Sequence, residues 1–376
     1  MKKHMQKQSP RNLIICNSVY QILVALWLKH TRLRNEYVDL IVSDHMNNGT
    51  MLAERLEQCG LFEHVYYAQT LDFAKFKIHL SRASRIGINI APQRALSTFV
   101  NLSSDYSSLY VANVDYFAQL AFHALSRRNK EIQLLIFEDG LFTYSGLYEK
   151  DYINTAISVT SIPKQLLHSF LYHTRTIYGN VAKLLLFHPE DLMWKPDFPV
   201  EALEKINSTD VMFRDICNYV FSYKECPDCY DRKYIFLEES FYAEGAAIND
   251  CEVIEKISER VGRENIMIKI HPRNPENRFS KLGFKTNVNT SIPWEVVIMN
   301  MDDISEKILL TISSSSILNP ILIFGKTIRA YSLYNCIDHE NCHSRLLSGE
   351  MWDAALKLFQ KHSDMITVCE TIDDVK

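Results

Sequence analysis

Short apolar runs recur along the chain, each followed by a polar turn and then a stretch with helical spacing. In the first half, Asn12 to Cys16 reads as a strand and Val19 to Lys29 as a helix. Tyr37 to Val42 follows as a strand, and Thr50 to Cys59 as a helix stopped at Gly60. His64 to Tyr67 and Ser108 to Ala112 read as further strands, Tyr116 to Ser126 as a helix, and Ile132 to Phe137 as a strand. Beyond Gly140 the pattern loosens, with a helix expected over Ile162 to Tyr178 and a linker-like Lys195-Pro196-Asp197-Phe198-Pro199. Alternation restarts with strands at Tyr234 to Leu237, Ile266 to Ile270, Ile308 to Ile312 and Ile328 to Tyr331. Helices are predicted at Ala246 to Val261, Trp294 to Met301 and Ile317 to Phe324, with an amphipathic tail at Gly349 to Gln360 expected to pack back across the domains.

Strand–helix alternation of this kind implies parallel sheets covered on both faces. The expected fold class is therefore α/β, with two Rossmann-like domains facing a cleft. The expected boundaries are 1–195 for the first domain, 196–232 for a connector and 233–376 for the second.

Composition changes this picture little. Hydrophobic residues make up 47% and charged residues 23% of 376, an ordinary globular balance, and the net charge of -4 argues against nucleic acid as a partner. No apolar stretch reaches the ~20 residues of a membrane span, and Met1 to Arg11 lacks the apolar core of a secretory signal. Nine scattered cysteines suggest reduced thiols and a cytoplasmic setting. Cys226 and Cys229, with Cys336, His339, Cys342 and His343, could together ligate zinc. There is no second CxxC and the groups lie far apart, so the expectation is unligated thiols and no metal.

Chemistry concentrates where apolar runs end, since open α/β sheets bind ligands at the carboxyl ends of their strands. Glu138-Asp139-Gly140 closes the Ile132 run: a carboxylate before a tight turn, suited to taking a proton from a hydroxyl. Lys269-Ile270-His271-Pro272-Arg273 closes the Ile266 run, offering an imidazole and a guanidinium to phosphate. Ser313, Ser314, Ser315 and Ser316 close the Ile308 run at the start of a helix, where phosphate-binding donors collect. Pro293-Trp294-Glu295 opens another helix, its carboxylate able to hold ribose hydroxyls or simply to favour the helix dipole. Glu238 to Gly245, taken alone, reads as a solvated acidic loop; its Glu244-Gly245 is a second acid–glycine pair.

The order acid–acid–Gly, His-Pro, serine cluster resembles the bacterial sialyltransferases of glycosyltransferase family 52, which build lipooligosaccharide and capsule, with the bacterial polysialyltransferases as cousins. Asn12 to Gln21, including the polar Asn17 and Gln21, resembles that family's first strand and loop. The resemblance implies a GT-B fold, CMP-sialic acid as donor, no metal or other cofactor, and inversion by direct displacement. It implies that His271 contacts the CMP phosphate, Glu295 the ribose, and Ser313 to Ser316 the phosphate or donor carboxylate. Asp139 would be the base, with Glu244 second. The implied acceptor is a terminal sugar, galactose first, of a bacterial oligosaccharide or glycolipid met in the cytoplasm or at the inner membrane; a homodimer is left open. Transferases of another CMP-linked acidic sugar such as Kdo, and the CDP-polyol phosphotransferases of teichoic-acid synthesis, share parts of this pattern. The latter carry a second histidine beside an Asp-Tyr-Ser-Ser run, and Asp105-Tyr106-Ser107-Ser108 lies in the wrong half for that.

Overall fold

The computed structural model describes residues 10–74, 87–88, 90–102, 105–147, 180–223, 230–287, 289–342 and 349–376. The chain divides into two compact units, Met1–Leu203 and Glu204–Lys376.

The first unit is built on a seven-stranded sheet ordered β3-β2-β1-β4-β5-β6-β7. Its strands are β1 (Arg11–Cys16), β2 (Tyr37–Ser43), β3 (His64–Ala68), β4 (Ser108–Val111), β5 (Gln133–Phe137), β6 (Val181–Leu186) and β7 (Val200–Ala202). Every neighbouring pair is parallel. Strands covered on both faces need apolar side chains on both, which is why Leu13 to Cys16 and Leu134 to Phe137 are continuous apolar runs and are all buried. The helix Val19–His30 begins at Ser18, whose hydroxyl accepts the Gln21 N–H at 3.2 Å, and it buries every residue from Gln21 to Leu28. One charge sits inside this sheet. Asp39 of β2 is held by the Tyr106 hydroxyl at 2.6 Å and by Arg11 at 3.3 Å. Tyr106 of the Asp-Tyr-Ser-Ser run is thus a core fastening.

The second unit is wound the same way on six strands, ordered β10-β9-β8-β11-β12-β13. They are β8 (Tyr234–Leu237), β9 (Ile266–Lys269), β10 (Lys285–Thr286), β11 (Ile308–Thr311), β12 (Arg329–Ser332) and β13 (Ile366–Val368), again all parallel. One face packs Phe236, Ile254, Ile257, Ile268, Phe279 and Leu310 into a single cluster. Truncating one of these to alanine would cost about 2–5 kcal/mol. The tail helix, Glu350–Lys361, lies on this unit, with Trp352 stacked on Tyr334 at 3.6 Å between ring centroids.

Several expectations change. The segment read as connector holds β7 and an eleven-residue helix, Val211–Phe221. Strand β6 was not foreseen. The helix placed from Ala246 begins at Asp250, and the one placed at Ile317 begins as a 3-10 turn, Ser315–Leu318, before Asn319–Leu322. The helix predicted over Ile162 to Tyr178 lies outside the described residues.

Candidate active site

In each sheet the strand order reverses beside the first strand: between β1 and β4 in one, between β8 and β11 in the other. Ligands of such sheets bind at that reversal, outside the carboxyl ends of the strands. The residues singled out from the sequence fall at these two edges. Asn17, Gln21, Glu138, Asp139 and Gly140 belong to the first unit and the rest to the second.

At the first edge, the Asn17 amide donates to Asp115 at 2.8 Å and reaches Asn113 at 3.4 Å. Gln21 accepts the Asn17 N–H at 2.6 Å. The side chains of Gln21 and Asn113 hydrogen-bond the half-buried Asp139 carboxylate. Burial pushes the Asp139 carboxyl above the usual carboxylate range, and the two amides pull it partly back. An acid raised in this way is a better proton acceptor when ionised, which suits a general base. It also acts on Cys16, at the end of β1, whose thiol is pushed up first by burial and then by the Asp139 charge.

Gly140 follows with φ +66° and ψ −145°, a region open in practice to glycine alone. A Cβ there would meet nothing within 4 Å, so backbone strain and not crowding fixes this residue. Glu138 has a different task. It is 1% exposed, and its carboxylate accepts from the Tyr20 hydroxyl at 2.9 Å, the Tyr144 hydroxyl at 2.6 Å and the Phe187 N–H at 2.8 Å. Those bonds make it a strut between β5, the end of β6 and two helices.

At the second edge, His271 ends the extension of β9. Its N–H donates to Glu238 at 2.9 Å, and its Nδ1 accepts the Arg273 N–H at 3.2 Å across a turn led by Pro272 and closed by Asn274 N–H to His271 carbonyl at 3.0 Å. An Nδ1 that accepts leaves the ring proton on Nε2, so the neutral imidazole presents a donor. Burial, then the Arg273 and Lys269 charges, lower its pKa to about 3.

Lys269, buried on the same strand, is lowered to about 8 by desolvation against the opposing pull of Glu295. Glu295 is itself buried, pushed up by desolvation and held by the Asn319 amide. It therefore faces lysine and asparagine and does more than favour a helix dipole.

The loop after β8 is not the solvated acidic stretch expected. Glu238 is 4% and Glu239 7% exposed. Glu238 accepts from Arg278 at 3.1 Å, and Arg278 grips Asp250 with two further bonds of 2.9 and 2.7 Å. Glu239 accepts the Ser313 N–H at 2.5 Å, the Ser313 hydroxyl at 3.3 Å and the Thr311 hydroxyl at 3.1 Å. Glu244 is exposed. It takes the Ser240 hydroxyl at 2.8 Å and lies 3.8 Å from Arg273, which also donates to Ser240 at 3.0 Å.

Of the four serines, Ser313 is committed to Glu239. Ser314 gives its N–H to Thr311 and shares a 2.7 Å bond with the Ser316 hydroxyl. The Ser315 hydroxyl has no protein partner among the described residues and is half-buried. Glu239, Arg278 and Asp250 were missed as site residues. The only sequence signal for them was a second acid pair, Glu238-Glu239, ending an apolar run as Glu138-Asp139 does.

Among the described residues no group of His, Cys, Asp or Glu side chains is arranged to hold a metal ion. Cys336 and Cys342 are free thiols, and His339 bonds the Tyr334 carbonyl at 2.8 Å. Cys226, Cys229 and His343 lie outside the described residues. No helix among the described residues is long and apolar enough to cross a membrane.

Two parallel sheets of this winding, in units of this size, make the GT-B fold, and the family match given below makes the chain a glycosyltransferase, an enzyme that moves a sugar from a nucleotide-sugar donor to an acceptor. Solved structures of that fold agree. The calicheamicin glycosyltransferase CalG4 superimposes with a TM-score of 0.53 at 11% identity, covering 96% of this chain and 85% of its own. LpCGTa, solved in complex with UDP, gives 0.51 at 9% identity with the same coverages. The family model of the alpha-2,8-polysialyltransferases matches residues 12–333, from within β1 to just past β12. The chain belongs to that family, and the resemblance to bacterial sialyltransferases is borne out. A search of curated proteins finds no match.

Proposed function

We propose that the enzyme transfers sialic acid from CMP-sialic acid to the terminal sugar of a bacterial surface glycan, by single inverting displacement and without a metal. The observation that carries this reading is the fixed His271 ring, which offers Nε2–H as a donor at the carboxyl end of β9, in the same sheet whose β11 leads into the serine loop.

Asp139 takes the proton of the acceptor hydroxyl. The hydroxyl oxygen attacks the anomeric carbon from one face while the bond to the CMP phosphate oxygen breaks on the other, and CMP leaves with the bonding pair. Nε2–H of His271 donates to the phosphate as negative charge grows there, and that charge in turn favours the imidazolium. Ser315 and Ser316 supply further donors, and Glu295 holds the ribose hydroxyls. Arg273 and Lys269 add positive charge. On this reading the reaction takes place in the cytoplasm, on acceptors held at the inner membrane.

For the acceptor, the family's description favours a sialic acid terminus joined through an α-2,8 bond. The galactose terminus expected from the sequence stands beside it as the second reading. The test is CMP release from CMP-sialic acid in EDTA, with an α-2,8-linked sialyl oligosaccharide and with lactose as acceptors. Turnover with either establishes the donor and separates the acceptors. Absence of turnover with both, restored by adding divalent metal, would overturn the metal-free mechanism.

A further inference from the structure

The strongest observation outside the proposed mechanism is the carboxyl group of Glu239. It follows β8 at the reversal, and it bridges the ends of β8 and β11. One oxygen, Oε1, takes three donors from Ser313 and Thr311. The other, Oε2, is buried and has no hydrogen-bond partner among the described residues. An ionised carboxylate with a bare, buried oxygen is costly, whereas a proton on that oxygen removes the charge. The remaining O–H then needs an acceptor that none of the described residues supplies.

We propose that Glu239 donates this proton in a hydrogen bond to a phosphate oxygen of the bound nucleotide, so that nucleotide binding weakens once the group ionises. The inference rests on the CMP reading given above. A neutral acid at this position adds a donor without repelling an anion, and at the same time holds the Ser313 backbone in place. Its ionised form would put negative charge against phosphate.

Burial raises the Glu239 pKa to about 7, against the pull of the Ser313 and Thr311 bonds. The Asp250 charge, facing it from the start of the helix Asp250–Val261, pushes the same way, and Arg278 offsets part of that by binding Asp250 through two bonds.

The experiment is calorimetric titration of the full chain with CMP and with cytidine, from pH 6 to pH 8.5, for wild type and Glu239→Gln. The amide keeps an acceptor for Ser313 and a donor on the other arm, but cannot ionise. Wild-type affinity for CMP should fall, relative to the variant, by about tenfold for each pH unit above the break. Cytidine, which lacks phosphate, should show no such divergence. Parallel pH profiles for the two proteins with CMP would overturn the inference, and divergence with cytidine as well would remove phosphate as the contact.

Thr311→Val provides a second check should the first variant fold poorly. Loss of one donor to Oε1 should move the break to higher pH, and an unmoved break counts against the proposal. Wild type that binds no CMP even at pH 6 would instead overturn the CMP reading, and this inference with it.

Discussion

At the reversal of the first sheet, the Asn17 amide reaches Asp115 across 2.8 Å, and the other Asp115 oxygen caps the helix Tyr116–Arg128 through the Ala118 N–H at 2.8 Å. At the reversal of the second, Ser313 reaches Glu239 at 2.5 Å and one carboxylate oxygen is left over. Both bridges cross the reversal, but with their ends exchanged: the acid follows β4 in the first unit and β8 in the second, and the two acids differ by one methylene. In the first unit the bridging acid is fully used by the fold, and the carboxylate proposed as base is a different residue, Asp139, steadied by amides. In the second unit the bridging acid keeps capacity, and the cations Lys269 and Arg273 flank the neutral imidazole of His271 near the strand ends. On the function proposed above, one edge takes a proton and the other receives anionic oxygen.

Substitution at the two groups proposed to react separates these roles most sharply. Asp139→Asn and His271→Ala should each lower turnover by about 10²–10⁴-fold while leaving far-UV circular dichroism unchanged. Should Asp139→Asn stay active while Glu244→Gln dies, the base would move to the second unit and the division of labour drawn here would collapse.

Next in size is Arg278→Met. It strips the partner from two buried carboxylates, Glu238 and Asp250, and should cost about 3–5 kcal/mol of stability in urea unfolding. It should also lower turnover, because Glu238 anchors the His271 N–H. A loss under 1 kcal/mol would show that this network is ornamental.

Asn17→Ala is the matching change in the first unit. Asp115 keeps its helix-capping bond, so the expected loss is smaller, about 1–3 kcal/mol by the same measurement.

The smallest effect concerns pH. The folded-state pKa of His271, about 3, lies below its unfolded value of 6.5, so the unfolded chain binds the proton more readily. The stability this group contributes is complete above pH 6.5 and is lost as pH falls toward 3. After discounting for its partial exposure, His271→Gln should be spared about 1 kcal/mol of the loss seen between pH 7 and pH 5. An identical acid limb in the two proteins would mean that the imidazole is not held neutral.

Legibility from sequence follows the physics of each element. Central parallel strands are buried on both sides, so β1, β5, β8, β9 and β11 stood out as unbroken apolar runs. Strand β6 did not, because Lys183 interrupts it to pair with Glu201 of β7 at 2.9 Å near the sheet edge. The helix Val211–Phe221 was hidden by apolar residues on its outer side: Val211, Met212 and Tyr219 are exposed and blur the stripe made by Phe213, Cys217 and Val220. In the site, His271 and the serines could be read because each ends a run. Arg278 could not, since it meets Glu238 from 40 residues away and no local spacing announces it. Glu138 and Glu239 were visible as acids, but burial and partners decide between strut, donor and base, and a linear pattern does not carry that information.

The chain has four tryptophans, and two of them, Trp294 and Trp352, belong to the second unit. Trp294 directly precedes Glu295, is 5% exposed, and keeps its indole N–H buried without a hydrogen-bond partner among the described residues, beside the Tyr230 ring at 6.0 Å. A chromophore so dry and so close to the candidate ribose contact is a built-in optical gauge. Its emission reports on the field around Glu295 and Lys269, and retaining it while the other three are replaced by phenylalanine would let nucleotide arrival be followed by light alone, without a label.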